Sequence, residues 1–386
     1  MLGVSCMEAQ VIIGGDDYAA GSLLSLNSTM RGGLQLSNVK LTIVTEIPLD
    51  FPGITQSNQN TDQTKSNFRG SVVFNTNSSF GSGKGIYAWD GEKWDYIGGG
   101  IGIPTGRVAY RNSIYGAITG WVDFMSYNLG ATPMSIEQQM AYPNISQSSE
   151  TFTEATATEF TKLFGDLYQW GRKTDGHEKV WSTTSSTRVP VDNFDNVGHG
   201  NFITGSDWLA GINNKLGRWG SVDPDTPQST INSKGVNDPC PDGFRVPSLS
   251  DWQSILNGVG DKNGILGGTD NHNGVNRWKW IDSPNAGWLI YPPKPGVTIP
   301  SKDEDYEDTP TLFLPRVMYR ATSGNFSTNG YGCYWSSTVY DANNQSYRLR
   351  ISHGGNYNAD HSVGSHRGSG FSVRCVAESR IPISGN

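Results

Sequence analysis

The chain has 386 residues, a formal net charge of −7 and a hydrophobic content of 35%. Its Lys and Arg residues are scattered, which excludes the basic footprint of a nucleic-acid binder, and no apolar stretch reaches membrane-spanning length. The length suits two or three domains, and 12 Trp, 16 Tyr and 14 Phe can build a core from few residues, while 48 Gly signal many turns and long surface loops.

Taken from the N-terminus, Met1-Leu-Gly-Val-Ser-Cys-Met-Glu-Ala9 reads either as the remnant of a secretory signal cut after Ala9 or as an ordinary N-terminus. Short apolar runs follow at Val11–Ile13, Leu23-Leu24 and Leu41–Val44. Residues 57–68 are polar and read as a loop or linker. Gly70–Thr76 reads as a strand, and Ile86–Trp89 and Trp94–Ile97 flank Asp90-Gly91-Glu92-Lys93 as a β-hairpin. Residues 10–105 are therefore expected to form a small β-rich module with little core of its own, serving attachment or oligomerisation.

A second unit is expected over 116–378, with 379–386 as a tail. Trp121–Tyr127 is strand-like. Apolar residues at mostly three- and four-residue steps predict a helix within Glu154–Lys173. Ser248, with Asp251 three residues on, predicts the N-cap of a second helix, buried through Leu249, Trp252, Ile255 and Leu256 and stopped near Gly258. Tyr347, Leu349 and Ile351 alternate with Arg348, Arg350 and Ser352, the pattern of a half-buried strand. The fold class is α+β, with two helices, short strands and long loops in the C-terminal unit. Cys240 and Cys375 each lie beside rigid patterned sequence and either pair or remain buried thiols, and the cysteine spacing has no zinc pattern.

From His353 to Gly370 the only sizeable apolar side chains are Tyr357 and Val363. Such a segment is expected to be held out toward solvent by the apolar anchors on either side, Tyr334-Trp335 and Phe371 to Val373. The expected binding face comprises Tyr340, Asp341, Asn343, Asn344, Ser346, Arg348, Arg350, His353, Asn356, Tyr357, Asn358, Asp360, His361, Val363, Ser365, His366, Arg367 and Ser369. Mixtures of Ser, Asn, Gly and Tyr are what adaptable recognition loops use. No catalytic residue is assigned: Ser336 and Ser337 lack a Gly-x-Ser-x-Gly elbow, and no phosphate-binding glycine loop stands out. No metal is assigned to His353, His361 and His366, because nothing in the sequence sets their geometry.

The ordered series Tyr127-Asn-Leu-Gly-Ala131, Leu167-Tyr-Gln-Trp-Gly-Arg172, Asp238-Pro-Cys-Pro-Asp-Gly-Phe-Arg-Val-Pro247, Asp251-Trp252, Tyr334-Trp-Ser-Ser-Thr338 and Gly370-Phe-Ser-Val-Arg-Cys375 resembles the Fibrobacter succinogenes major paralogous domain family. The resemblance covers about 116–378. It implies a C-type-lectin-like fold, related to the formylglycine-generating enzyme fold, on proteins displayed at the surface of Bacteroidota and their phages. Some proteins of this fold are variable proteins of diversity-generating retroelements, whose tails are rewritten at adenines. Rewriting the adenines of an Asn-type codon never yields Gln, Lys, Glu, Met or Trp, and Ser346–Ala377 contains none of these.

The function expected from this is a secreted, cell-surface or virion-associated ligand-binding protein. Its partner would be a protein or glycan receptor on a cell surface, and a homotrimer would add avidity. An invariant surface or pilus component and a formylglycine-generating-type enzyme are the alternatives. No cofactor is assigned, with a structural calcium as the alternative, because the Glu-Pro-Asn and Gln-Pro-Asp lectin signatures are missing.

Overall fold

A computed structural model of the chain describes residues 37–43, 45–49, 51, 53–77, 85–98, 103–114, 116–143, 154–210, 218–220, 234–261, 265–271, 274–282, 285–327, 331–341, 344–352 and 358–382. At 95–98, 154, 265–267, 341, 358 and 382 the backbone alone is described. The segments Met1–Ala9, Val11–Ile13 and Leu23-Leu24 lie outside the described residues.

The first sheet has four strands. Asn38–Val39 runs parallel to Val72–Asn75, which pairs antiparallel with Gly85–Trp89, which in turn forms a hairpin with Trp94–Gly98. Asp90 Oδ1 accepts the backbone N–H groups of Glu92 and Lys93, each at 2.7 Å, so the Asp-Gly turn is closed by its own side chain. The expectation of little core does not hold for residues 37–98. Val39, Leu41, Ile47, Val73, Tyr87, Trp89 and Trp94 form one buried cluster, and the two indoles lie 5.3 Å apart. Large aromatics bury enough area for a small module to have its own interior.

The segment read as a linker contains helix α1, Asp62–Asn67. Thr61 caps it by accepting the Thr64 N–H, and Thr64 alone is buried. A six-residue helix needs so little apolar surface that no hydrophobic period reveals it.

In the C-terminal unit the first two strands and the last strand share one sheet. Thr105–Tyr110 pairs along its length with Gly120–Met125, and Val376–Pro382 pairs with Gly120–Met125 on one side and Phe244–Arg245 on the other. The sheet thus begins before residue 116 and ends beyond residue 378, inside the segment assigned to the tail. A second sheet joins Tyr331–Asp341, Gln345–Ser352, Asn358–Asp360 and Ile265–Gly267, with Gly364–His366 pairing onto Gln345–Ser352. Arg277–Ile281, Gly287–Tyr291 and Leu312–Pro315 form a third. A fourth, of two-residue strands, brings Tyr168–Gln169, Gly370–Phe371, Tyr319–Arg320 and Phe326–Ser327 together.

Three helices accompany these sheets among the described residues, against the two expected. Helix α2, Ile136–Ala141, has a reciprocal cap between Ser135 and Gln138, a local signal that went unread because the helix is short. Helix α3 spans Glu154–Phe164, shorter than the window Glu154–Lys173. Gly165, at φ +76°, leaves the helix in the left-handed region, and Leu167 and Trp170 reach the core from a strand segment instead. Helix α4, Leu249–Leu256, begins at Ser248, whose hydroxyl accepts the Asp251 N–H at 3.1 Å while the Asp251 carboxylate accepts the Ser248 N–H at 2.7 Å.

The core is aromatic. Trp252 of α4 stacks on Phe124 at 5.5 Å and packs with Trp278, Trp288, Tyr334, Leu349 and Ile351. A second cluster holds Trp170, Trp219, Trp335, Phe371 and Val373 around the disulfide between Cys240 and Cys375. Fully burying side chains of this size contributes about 1.5–3 kcal/mol each, which offsets the low apolar content.

Candidate binding cleft

The strand Tyr331–Asp341 carries the site. Along its first half, alternate residues serve different ends, as strand geometry requires. Tyr334 faces the main core with Leu349, its partner across the hairpin, and with Ile351. Cys333 and Trp335 face the other way, opposite Arg350 and Arg348 in the register. Trp335 is anchored by its indole N–H to the Tyr168 carbonyl at 2.7 Å and by its backbone N–H to the Ser372 carbonyl at 3.0 Å.

On the Cys333 side the chain leaves a cleft of about 340 Å³. Its wall includes Tyr319, Tyr331, Cys333, Gln345, Arg348, Ser365, His366, Ser369 and Phe371. Tyr319 and Tyr331 stack with centroids 5.5 Å apart, and their hydroxyls share a hydrogen bond at 3.1 Å. The Phe371 ring meets Tyr319 edge-on at 5.4 Å. Gly364 lies close to Tyr340, and a Cβ there would come within 2.5 Å of the Tyr340 ring. A side chain at 364 would push the strand Gly364–His366 away from its place at the cleft.

The structure divides the expected binding residues. Tyr340 (40% exposed) and His366 reach solvent, and Asn344, Arg350, Val363 and Ser365 are half-buried. Asn344 turns the hairpin at φ 69°, a conformation that Asn tolerates. His353, Asn343, Asn356 and Tyr357 lie outside the described residues, as do the side chains of Asp341 and Asn358.

Ser346, Arg348, Asp360, His361, Arg367 and Ser369 are buried, contrary to the expectation of a displayed segment. The reason is that a segment poor in apolar side chains is still drawn inside when other elements supply its polar partners. The Arg367 guanidinium lies 5.0 Å from the Trp170 ring, donates to Ser346 Oγ at 3.2 Å and the Gln345 carbonyl at 3.1 Å, and sits 3.8 Å from Asp207. Asp360 accepts from Arg350 at 3.0 Å and from the backbone N–H and hydroxyl of Ser362 at 2.8 and 2.7 Å. His361 is 1% exposed, and burial pushes its pKa down, favouring the neutral ring. Ser369 is tied back by its N–H to the His366 carbonyl at 3.0 Å.

Arg348 differs from these. It is 8% exposed and its Nε donates to Ser365 Oγ, yet its Nη1 is buried with no hydrogen-bond partner among the described residues. No carboxylate pairs with it among the described residues, and none lines the cleft.

The cleft residues Tyr319, Tyr331 and Cys333 are not in the expected binding face, and Phe371 is expected only as an apolar anchor. The one sign of Tyr331 and Cys333 is the alternation in Tyr331-Gly-Cys-Tyr-Trp335, which reads equally well as core. Among the described residues one group of potential metal ligands is close together, Asp175, His177 and Glu178. Both ring nitrogens of His177 are engaged there: Nε2 accepts the Gln169 N–H at 3.0 Å, and Nδ1 meets Asp175 at 2.8 Å. This is a hydrogen-bonded network with no free ring nitrogen for an ion.

Cys333 is buried, and burial pushes its thiol pKa up. Cys375 is bonded to Cys240, so Cys333 has no dithiol partner there. Brief iodoacetamide treatment of the folded protein is expected to leave the Cys333 peptide unmodified, and treatment in denaturant to alkylate it. Peptide mapping reads the result, and rapid native labelling would contradict this placement.

Two of the cleft's walls, Gln345–Ser352 and Gly364–His366, come from one stretch near the C-terminus, held by contacts to residues far away in sequence. A family model described as Fibrobacter succinogenes major domain matches residues 119–377, which takes in all of the cleft. No curated protein and no solved structure matches the chain.

Proposed function

The chain belongs to the Fibrobacter succinogenes major domain family, and from that premise we propose that it is a ligand- or receptor-binding protein of a cell surface or virion. In this reading the C-terminal unit is C-type-lectin-like, and the sheet that joins its N-terminal hairpin to its last strand supports that assignment. The carrying observation is the cleft, whose walls include side chains from the segment that lacks Gln, Lys, Glu, Met and Trp. Binding is noncovalent: a stiff aromatic frame lowers the ordering cost, and the side chains on it set the specificity.

The burial pattern narrows the retroelement reading. Ser346, Asp360, His361, Arg367 and Ser369 hold the frame, so useful variation belongs at Tyr340, Tyr347, Ser362, Val363, Ser365 and His366. Sequencing the gene's neighbourhood is expected to reveal an adenine-rich template copy of the tail beside a reverse transcriptase. A template whose adenines fell only on the buried positions, or no template at all, would remove diversification from the account.

For binding itself, the labelled protein is expected to adhere saturably to cells of its natural community. A Tyr340→Ala/His366→Ala variant with an unchanged melting temperature is expected to adhere at least about tenfold less, since each lost anchor is worth a kcal/mol or more. Equal adhesion by both proteins would sink the proposal. Assembly as a homotrimer would multiply weak single sites, and a monomer by light scattering would remove that part.

A further inference from the structure

We propose that the cleft takes the carboxylate of an acidic sugar, a uronic or sialic acid at the end of a glycan, with Arg348 as its anion-binding group. This rests on the ligand-binding reading above and names the ligand class of that site.

Three observations carry it. The first is charge. Arg348 brings a full positive charge to a cleft with no Asp or Glu in its lining, and it is the one arginine among the described lining residues. Arg350 is paired with Asp360, and Arg367 with Ser346 and the Gln345 carbonyl. A buried guanidinium without a carboxylate partner is costly, and a ligand carboxylate is the group that relieves the cost.

The second is the open valence. Nε of Arg348 is held by Ser365, which orients the guanidinium plane, while Nη1 is buried with no hydrogen-bond partner among the described residues. A ligand oxygen that drew Nη1 toward the cleft would satisfy an existing donor.

The third is size and lining. About 340 Å³ lies at the small end of ligand pockets, the scale of a single sugar ring and too small for an extended peptide. Around Arg348 the wall alternates hydroxyl and amide groups, from Thr322, Gln345 and Ser365, with the aromatic edges of Tyr319 and Phe371. Hydroxyls and amides match a polyhydroxylated ring, and aromatic surface matches its C–H faces. An acidic peptide shares the charge but not the need for this mixed wall.

The test is a calorimetric and saturation-transfer NMR titration of the full chain. The probes are methyl glucuronide and the methyl glycoside of N-acetylneuraminic acid, against methyl glucoside and a short acidic peptide. The acid sugars are expected to bind saturably and at least about tenfold more tightly than the neutral one, as loss of a charge-assisted contact implies. Arg348→Gln is expected to weaken acid-sugar binding about 10- to 100-fold and to remove the preference for the acid sugars over the neutral one. Should that variant not fold, as judged by its melting transition, Thr322→Trp places a bulky ring on the half-buried cleft wall and is expected to abolish binding.

Equal affinity for acid and neutral sugars, preference for the acidic peptide, or acid-sugar binding untouched by a folded variant overturns the inference. Absence of any acid-sugar binding by the folded wild-type chain overturns it too. That outcome leaves the wider receptor-binding reading standing, because that reading depends on the cell-adhesion comparison alone.

Discussion

Asp251→Ala is expected to destabilise the C-terminal unit by about 3–5 kcal/mol, enough to threaten folding outright. Asp251 is fully buried at the start of α4. It accepts from Arg245 at 2.6 and 3.0 Å, from Arg380 at 2.6 Å, and from the N–H and hydroxyl of Ser248 at 2.7 and 2.8 Å. One carboxylate therefore caps a helix and joins the strands Phe244–Arg245 and Val376–Pro382 to it. Removing it strands one fully buried guanidinium and loosens a second that is partly exposed. Arg380→Leu, at the more exposed end, is expected to cost markedly less. Chemical denaturation of both variants and of the double variant measures the coupling, and a loss below about 1 kcal/mol for Asp251→Ala would refute the network's role.

The same group sets an acid limit. Burial alone would raise the Asp251 pKa, but Arg245 and then Arg380 overcome it and hold the carboxyl well below the usual range. Its folded pKa is thus depressed below the unfolded value of about 3.9. The stabilisation is complete above that value and is lost as pH falls through the folded pKa. Melting temperature is expected to drop steeply below about pH 4 in the wild type and less steeply in Asp251→Asn, which begins lower.

Replacing Cys240 and Cys375 together by alanine is expected to cost about 2–5 kcal/mol and to lower the melting temperature by roughly 4–20 °C. The bond closes a loop with a sequence separation of 135, so the unfolded chain loses much freedom when it is present. The strands it joins are already paired, Phe244 opposite Ala377, so it reinforces one register and adds no new one. Differential scanning calorimetry of the double variant reads the effect. An unchanged transition would mean that the sheet alone restricts these ends. Under strong reductant without denaturant the bond is expected to persist for hours, because both cysteines are buried.

The elements that could be read from the chain are those whose signals are local. The Asp-Gly hairpin is stated by four neighbouring residues, and Asp90 closes it with its own side chain. The start of α4 is stated by Ser248 and Asp251 alone. Misreadings arose where a local signal was overridden or too small. The apolar spacing through Leu167 and Trp170 continued the α3 pattern, but Gly165 broke the helix, and both residues are buried through other contacts. Helices α1 and α2 bury one residue each, so they leave no periodic stripe.

By itself, then, the sequence determined the family, the aromatic character of the core and the turns and caps that start its clearer elements. These depend on residues a few positions apart or on an ordered series of motifs. Only the tertiary structure decided which polar side chains of the C-terminal stretch are frame and which are face. Arg374 is drawn into the frame by Asn128 and the Met125 carbonyl, at sequence distances of 246 and 249, and Arg367 by Trp170 and Asp207. Arg348, identical in type, lines the cleft, with no carboxylate beside it among the described residues. Whether a charge is satisfied depends on what folding brings next to it, and no composition or spacing within the stretch encodes that.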